Sequence, residues 1–137
     1  MKASGVFCVE TIVVHFLAAA EWASLSEEGQ ERATGRGFTK ASVTTAKAIV
    51  VEFLNALDRA GIDPELVGGY WSDDQLGHDL YLSMIGAGVG LWDRVLDFRG
   101  EDREVVKPLG RQLHDLVEKR EGHVYATGNG YIALEVY

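Results

Sequence analysis

The chain has 137 residues, 47% of them hydrophobic and 25% charged, with a formal net charge of -8. Those proportions describe one soluble globular domain of ordinary core size, and they exclude a disordered, collagenous or coiled-coil chain. With 13 Lys and Arg against 21 Asp and Glu, the chain lacks the basic footprint that unaided contact with nucleic acid or an anionic membrane requires.

A single cysteine, Cys8, excludes an intrachain disulfide and any Cys-rich zinc site. Its apolar flanks Val6, Phe7 and Val9 predict an inert buried thiol, and this usage fits a reducing cytoplasm. Met1-Lys2 and the apolar run up to Ala18, Ala19 and Ala20 imitate an export signal, but Glu10 and His15 interrupt that run. No stretch reaches the roughly 18 uninterrupted apolar residues of a membrane span.

Residues 9 to 25 predict a helix, because Val9, Ile12, Val13, Phe16, Ala20 and Ala23 recur at three- and four-residue spacing. Val14, Leu17 and Trp22 widen that face, which predicts burial on more than one side. Residues 26 to 40 read as a polar, glycine-containing connection anchored only by Phe38, the best candidate for a mobile loop. A second helix is expected from 42 to 60, its stripe formed by Val43, Ala46, Val50, Phe53, Leu54 and Leu57. Gly61 suits the position after its end, and Asp63-Pro64 prevents continuation. Ser72 and Gln75 fit a capping box, so a short helical turn is expected over 73 to 77.

The period then changes to two. His78, Leu80, Leu82 and Met84 alternate with Asp79, Tyr81 and Ser83, and after Ile85-Gly86-Ala87-Gly88 the segment 89 to 93 again reads as extended. That pattern predicts a hairpin with Trp92 in the core. No Lys-Ser/Thr follows the glycines, so a phosphate loop is not the reading taken. Residues 95 to 104 look like a charged connection, and Pro108 suits the first turn of a third helix with the stripe Val106, Leu109, Leu113, Leu116 and Val117, ended by Gly122. A second hairpin follows, with strands 124 to 126 and 131 to 136 around Thr127-Gly128-Asn129-Gly130. The expected fold is a single α+β domain in the order α-α-(short α)-β-β-α-β-β, with helices packed on a small antiparallel sheet.

Residues 77 to 94, GHDLYLSMIGAGVGLWDR, resemble the GHDFWLTRNGHGAGFWDR segment of a family of small bacteriophage and prophage proteins. Ala18-Ala19-Ala20-Glu21-Trp22-Ala23-Ser24 is similar to that family's amino-terminal helix, and the final hairpin takes the place of its tyrosine- and glycine-containing one. Most of the chain is covered, and the central eighteen residues carry the specificity. Where the family has Arg, Asn and His around the tip, this chain has Met84, Ile85 and Ala87, a tip without donors or acids. The resemblance implies a phage-encoded accessory protein.

His78, Asp79 and Asp93 are the one cluster that combines a base with carboxylates, a set able to hold a divalent metal or run acid-base chemistry. The structural alternative has Asp93 paired with Arg94 or another cation and His78 capping a backbone group. His15, His114 and His123 lie in separate elements, and no serine elbow, zinc-protease helix or Walker sequence is present. The reading preferred is therefore a non-enzymatic protein, without cofactor, acting in the host bacterial cytoplasm. Its expected partner is a host protein, a CRISPR or other defence component whose basic surface would match the acidic one. Tyr70, Trp71, Asp97, Glu101, Asp102 and Glu104 are the candidate contacts, since exposed aromatics and acids would supply anchor and steering. A metal-dependent hydrolase or nuclease using His78, Asp79 and Asp93 is one alternative. A structural phage protein that self-assembles through an exposed sheet edge is the other.

Overall fold

The computed structural model describes residues 2–137, so Met1, which opens the run resembling an export signal, lies outside the described residues. Six helices, α1 (Val9–Ser24), α2 (Glu27–Arg32), α3 (Lys40–Arg59), α4 (Pro64–Gly68), α5 (Asp73–Ile85) and α6 (Gly100–Leu116), precede an antiparallel hairpin, β1 (Gly122–Ala126) and β2 (Ile132–Val136). A 3-10 helix, Leu91–Asp97, joins α5 to α6. This is an α+β domain with helices on a small antiparallel sheet, as expected. No helix among the described residues is long and apolar enough to cross a membrane.

The core lies between α1, α3, α5 and the inner face of the sheet. From α1 come Ile12, Val13, Phe16, Leu17, Ala19 and Ala20; from α3 come Ala46, Val50, Phe53, Leu54 and Leu57. The second helix is thus where it was expected, capped by Thr39, whose hydroxyl accepts the Ser42 N–H at 3.2 Å. Val43 lies at the edge of its stripe and is exposed. Val14 and Trp22 do not widen the buried face of α1 but stand on its outer side, Trp22 with 71% of its surface exposed. Cys8 is likewise exposed rather than buried.

The largest departure is at α5. The capping box is present, with the Ser72 hydroxyl accepting the Gln75 N–H at 3.1 Å and the Gln75 side chain accepting the Ser72 N–H at 3.2 Å. The helix it starts runs on to Ile85, so the expected strand 78 to 84 is helical. Leu76, Gly77, Asp79, Leu80, Tyr81, Leu82, Ser83 and Met84 are all buried. A helix enclosed on nearly every side has no amphipathic period of 3.6, and a chance alternation then reads as a strand. Segment 89 to 93, the expected return strand, is a loop entering the 3-10 helix, because Gly86 ends α5 in a left-handed cap with its N–H bonded back to Leu82 and Ser83.

Gly77 is a close approach of helices, not a terminator. A Cβ there would sit 2.3 Å from the Ile12 carbonyl oxygen and 3.0 Å from the Phe16 nitrogen, so α5 packs directly on the α1 backbone. Beside this contact the Phe16 and Tyr81 rings meet edge to face at 5.2 Å, and the Tyr81 and Ser24 hydroxyls are 2.6 Å apart.

The charged stretch expected as a connection contains the start of α6, with Glu101 and Asp102 in the first turn, where they complement the helix dipole. Pro108 sits inside that helix, on its exposed side, rather than at its beginning. Val106, Leu109 and Leu113 are buried as expected, while Gly122 opens β1 instead of closing the helix. The polar connection 26 to 40 contains α2 and is tied to the sheet. The Thr34 N–H donates to the Gly130 carbonyl at 3.0 Å, Ile132 N–H to Gly37 and Thr39 N–H to Ile132 at 2.9 Å each, and Leu134 N–H to the Ser42 hydroxyl at 2.8 Å. The outer edge of β2 is therefore occupied along its first half by the chain itself.

Trp92 is half-buried in the 3-10 helix, with His114 edge-on at 6.4 Å and the Arg111 guanidinium 5.6 Å from its ring centre. The buried tryptophan is Trp71. His114 has its Nε2 3.0 Å from the Lys119 ammonium and its Nδ1 buried without a partner. Burial, with Lys119 second, holds its pKa below the ordinary 6.5.

Gly77→Ala is expected to cost about 3 kcal/mol, the upper end of ordinary overpacking, because the obstructing atoms are backbone. Urea unfolding would show it as a lower midpoint with unchanged slope. For His114 the sign follows from its lowered pKa. Below about 6.5 the unfolded chain takes up a proton that the folded chain does not. Stability is therefore present above that pH and falls as the pH drops toward the folded value. His114→Gln should lose less melting temperature than the wild type between neutral and mildly acidic pH, as calorimetry at matched ionic strength would register.

Candidate functional site

The residues of the central segment meet around one buried ion pair. Asp79, on α5, is 2% exposed. Arg94 reaches it from the 3-10 helix, Nε donating to Oδ2 at 2.8 Å and the second guanidinium nitrogen to Oδ1. The Trp71 indole N–H donates to Oδ2 at 3.1 Å. Asp97 accepts a further bond from Arg94 at 2.8 Å. Hydrogen bonding to Asp79 is the largest of the influences that raise the Arg94 pKa, so the guanidinium stays charged.

Two more contacts fix the loop that brings Arg94 there. The Ser83 hydroxyl accepts the Leu91 N–H at 2.9 Å, and Asp93 Oδ1 accepts the Gly90 N–H at 2.5 Å. Gly90 has φ 134°, and a Cβ on it would lie 2.5 Å from the Ser83 hydroxyl oxygen and 2.9 Å from the Asp79 carbonyl oxygen. Only glycine lets the loop press this closely on α5.

Over this ion pair opens a hollow of about 320 Å³, lined by Trp22, His78, Asp79, Leu82, Val89, Gly90, Asp93, Arg94, Leu96 and Asp97. Its rim is apolar and exposed, with Leu96 at 69% and Val89 at 42% beside Trp22. The Trp22 ring faces His78 at 6.0 Å. On its other side Trp22 borders a second hollow of about 440 Å³ with Leu25 and Ala33. An indole standing between two depressions is a shape suited to insertion into a partner.

His78, Asp79 and Asp93 thus line one hollow, but they do not form a metal site. Among the described residues no group of three His, Cys, Asp or Glu is placed to hold an ion. Arg94 and Trp71 occupy both oxygens of Asp79, and Asp93 bonds a backbone amide rather than Arg94. His78 lies tilted beside the Trp22 ring instead of capping backbone. Among the candidate contacts, Trp71 is 1% exposed and holds the ion pair, so it offers nothing to a partner. Tyr70 is half-buried, edge-on to Phe98 at 5.6 Å, its hydroxyl donating to Asp102 at 3.4 Å. Glu101, Asp102 and Glu104 are exposed on the first turns of α6, away from the lining of the hollow; Asp97 belongs to it.

Trp22 is the residue of this surface that sequence reasoning placed in the core. At about 100° per residue it lies about 80° from Ile12 on the side away from Val13, Phe16, Leu17 and Ala20, outside the buried arc, and that arithmetic was available from the sequence. The fold and this surface define a small acidic α+β protein presenting an aromatic and aliphatic patch over a rigid ionic base. No family model, curated protein or solved structure matches the chain.

Breaking the ion pair from one side is expected to be costly and from both sides less so. Arg94→Met strands a buried carboxylate and should cost about 3–5 kcal/mol. Asp79→Asn combined with Arg94→Met removes both charges and leaves an amide oxygen for the Trp71 N–H. The double variant is expected to be more stable than Arg94→Met alone in urea unfolding followed by tryptophan fluorescence.

Proposed function

We propose that this protein is a non-enzymatic bacteriophage accessory protein that binds a host protein, a component of a defence system such as a CRISPR effector, in the host cytoplasm. The observation that carries the reading is the joint exposure of Trp22, Leu96 and Val89 around a hollow whose floor is a fixed ion pair. Large apolar side chains gathered at a rimmed depression mark interaction sites, and tryptophan is the residue most enriched among binding hot spots. The net charge of -8 favours encounter with a basic partner surface. The resemblance of residues 77 to 94 to a phage protein segment supports the phage origin. Asp97, from the acidic segment, lies at the patch and belongs to the contact; Trp71 acts from beneath.

Hosts carrying different defence systems, each expressing either the wild type or Trp22→Ala/Leu96→Ala, provide the test. The wild type is expected to restore plating of a susceptible phage on at least one host. The variant should fold normally, since surface changes usually alter stability by less than about 0.5 kcal/mol. It should bind the purified target at least about 30-fold more weakly, the size of one hot-spot loss. A wild type that relieves no defence system, or a variant as active as the wild type, overturns the reading.

A further inference from the structure

We infer that the segment seated at the Trp22 hollow carries an arginine or lysine, its cationic head placed between Asp93 and Asp97 and its apolar neighbours on Trp22 and Leu96. This rests on the protein-binding reading and states what the partner must present there. The hollow holds three carboxylates, Asp79, Asp93 and Asp97, against one guanidinium, Arg94. Arg94 is engaged first with Asp79, which leaves the two outer aspartates in excess. Each of them spends one oxygen inside the fold: Asp93 Oδ1 on the Gly90 amide and Asp97 Oδ2 on Arg94. The other oxygen of each has no hydrogen-bond partner among the described residues. A carboxylate held through one oxygen is pre-oriented, so its free oxygen accepts from an incoming donor with little loss of freedom.

The apolar rim sets the rest of the requirement. Trp22 is 71% exposed and lines the same hollow as Asp93 and Asp97, so a guanidinium bound to them lies near an aromatic ring that attracts cations. Val89 and Leu96 flank the same opening and would cover methylene stems or a neighbouring aliphatic side chain. An acidic peptide would meet like charge, and a purely apolar one would desolvate the two free oxygens without replacing their water.

Two short probe peptides test this, one alternating Arg with Leu and one with Gln for each Arg, titrated into the full chain by calorimetry at low and at raised ionic strength. Asp93→Asn/Asp97→Asn keeps the oxygens that serve the fold and removes both charges. It is expected to weaken the Arg peptide by about 10-fold or more and to leave the urea midpoint nearly unchanged. Glu101→Gln/Glu104→Gln removes the same charge from α6 and should weaken it no more than about 2-fold. Trp22→Ala should weaken it as much as the aspartate pair does. Equal losses from the two charge-removing variants would mean that net charge alone draws the peptide, and would overturn the inference. Equal binding of the Arg and Gln peptides, both lost in Trp22→Ala, would overturn it while leaving the patch a protein-binding surface. If neither peptide binds, the inference fails and the plating assay judges the broader reading separately.

Discussion

A carboxylate removed from water on a nearly enclosed helix persists only if each of its oxygens is bonded and its charge is balanced. Asp79 meets that condition with groups from two other places in the chain, the indole of Trp71 just before α5 and the guanidinium of Arg94 well after it. For Arg94 to arrive, the chain must reverse immediately after α5 and run back along it. That reversal dictates Gly86 at the cap, Gly90 against Ser83 and Asp79, and a short 3-10 helix in place of a longer element. The pair adds little net stability compared with an apolar replacement of the same volume. Its effect is on geometry, because a bidentate contact fixes which side of the 3-10 helix faces inward and leaves Leu96 on the side turned out, while Asp97, one turn beyond Arg94, stays bonded to its guanidinium.

The segment 77 to 94 behaves as one mechanical unit, and six of its polar or glycine positions hold it together. Gly77 admits the α1 backbone, Asp79 and Arg94 close the unit, Ser83 and Asp93 bond the amides of Leu91 and Gly90, and Gly90 permits the contact. The phage segment it resembles differs at eight positions, and of these only Ser83, where that segment has a threonine hydroxyl, belongs to this set. Met84 is core, and Ile85 and Ala87 flank the cap. A unit whose fixed positions are structural leaves its exposed side chains free to vary.

Elements with one buried face were legible in the sequence. α1, α3 and the final hairpin announce themselves through regular apolar spacing and turn chemistry, and the capping box at Ser72 marks the start of α5. What defeated the reading was burial on all sides. Leu80, Tyr81, Leu82, Ser83 and Met84 are each enclosed, so no face distinguishes a helix from a strand, and the glycines after it were read as a hairpin tip. The site suffered the same loss. His78, Asp79 and Asp93 were singled out and do line one hollow, but the partner of Asp79 sits fifteen residues away, a pairing set by tertiary structure rather than spacing. Trp71 was read with Tyr70 as an exposed aromatic contact, and it is the indole that completes the ion pair.

The acidic composition and the exposed indole are two sides of one physical compromise. An apolar patch open to solvent invites self-association, and a domain of this size has few ways to prevent it. Net charge is one of them, since like-charged copies repel at the distances from which patches would find each other. Carboxylates at the rim act at shorter range, because two copies meeting patch to patch would bring Asp93 and Asp97 against their own counterparts. On the proposed reading the same residues discriminate in favour of a partner carrying the opposite charge, so repulsion against the wrong occupant and attraction toward the right one come from a single arrangement. Of the two aspartates, Asp97 depends on the ion pair directly, since its held oxygen bonds Arg94, whereas Asp93 is held by the Gly90 amide in the loop that carries Arg94 to Asp79.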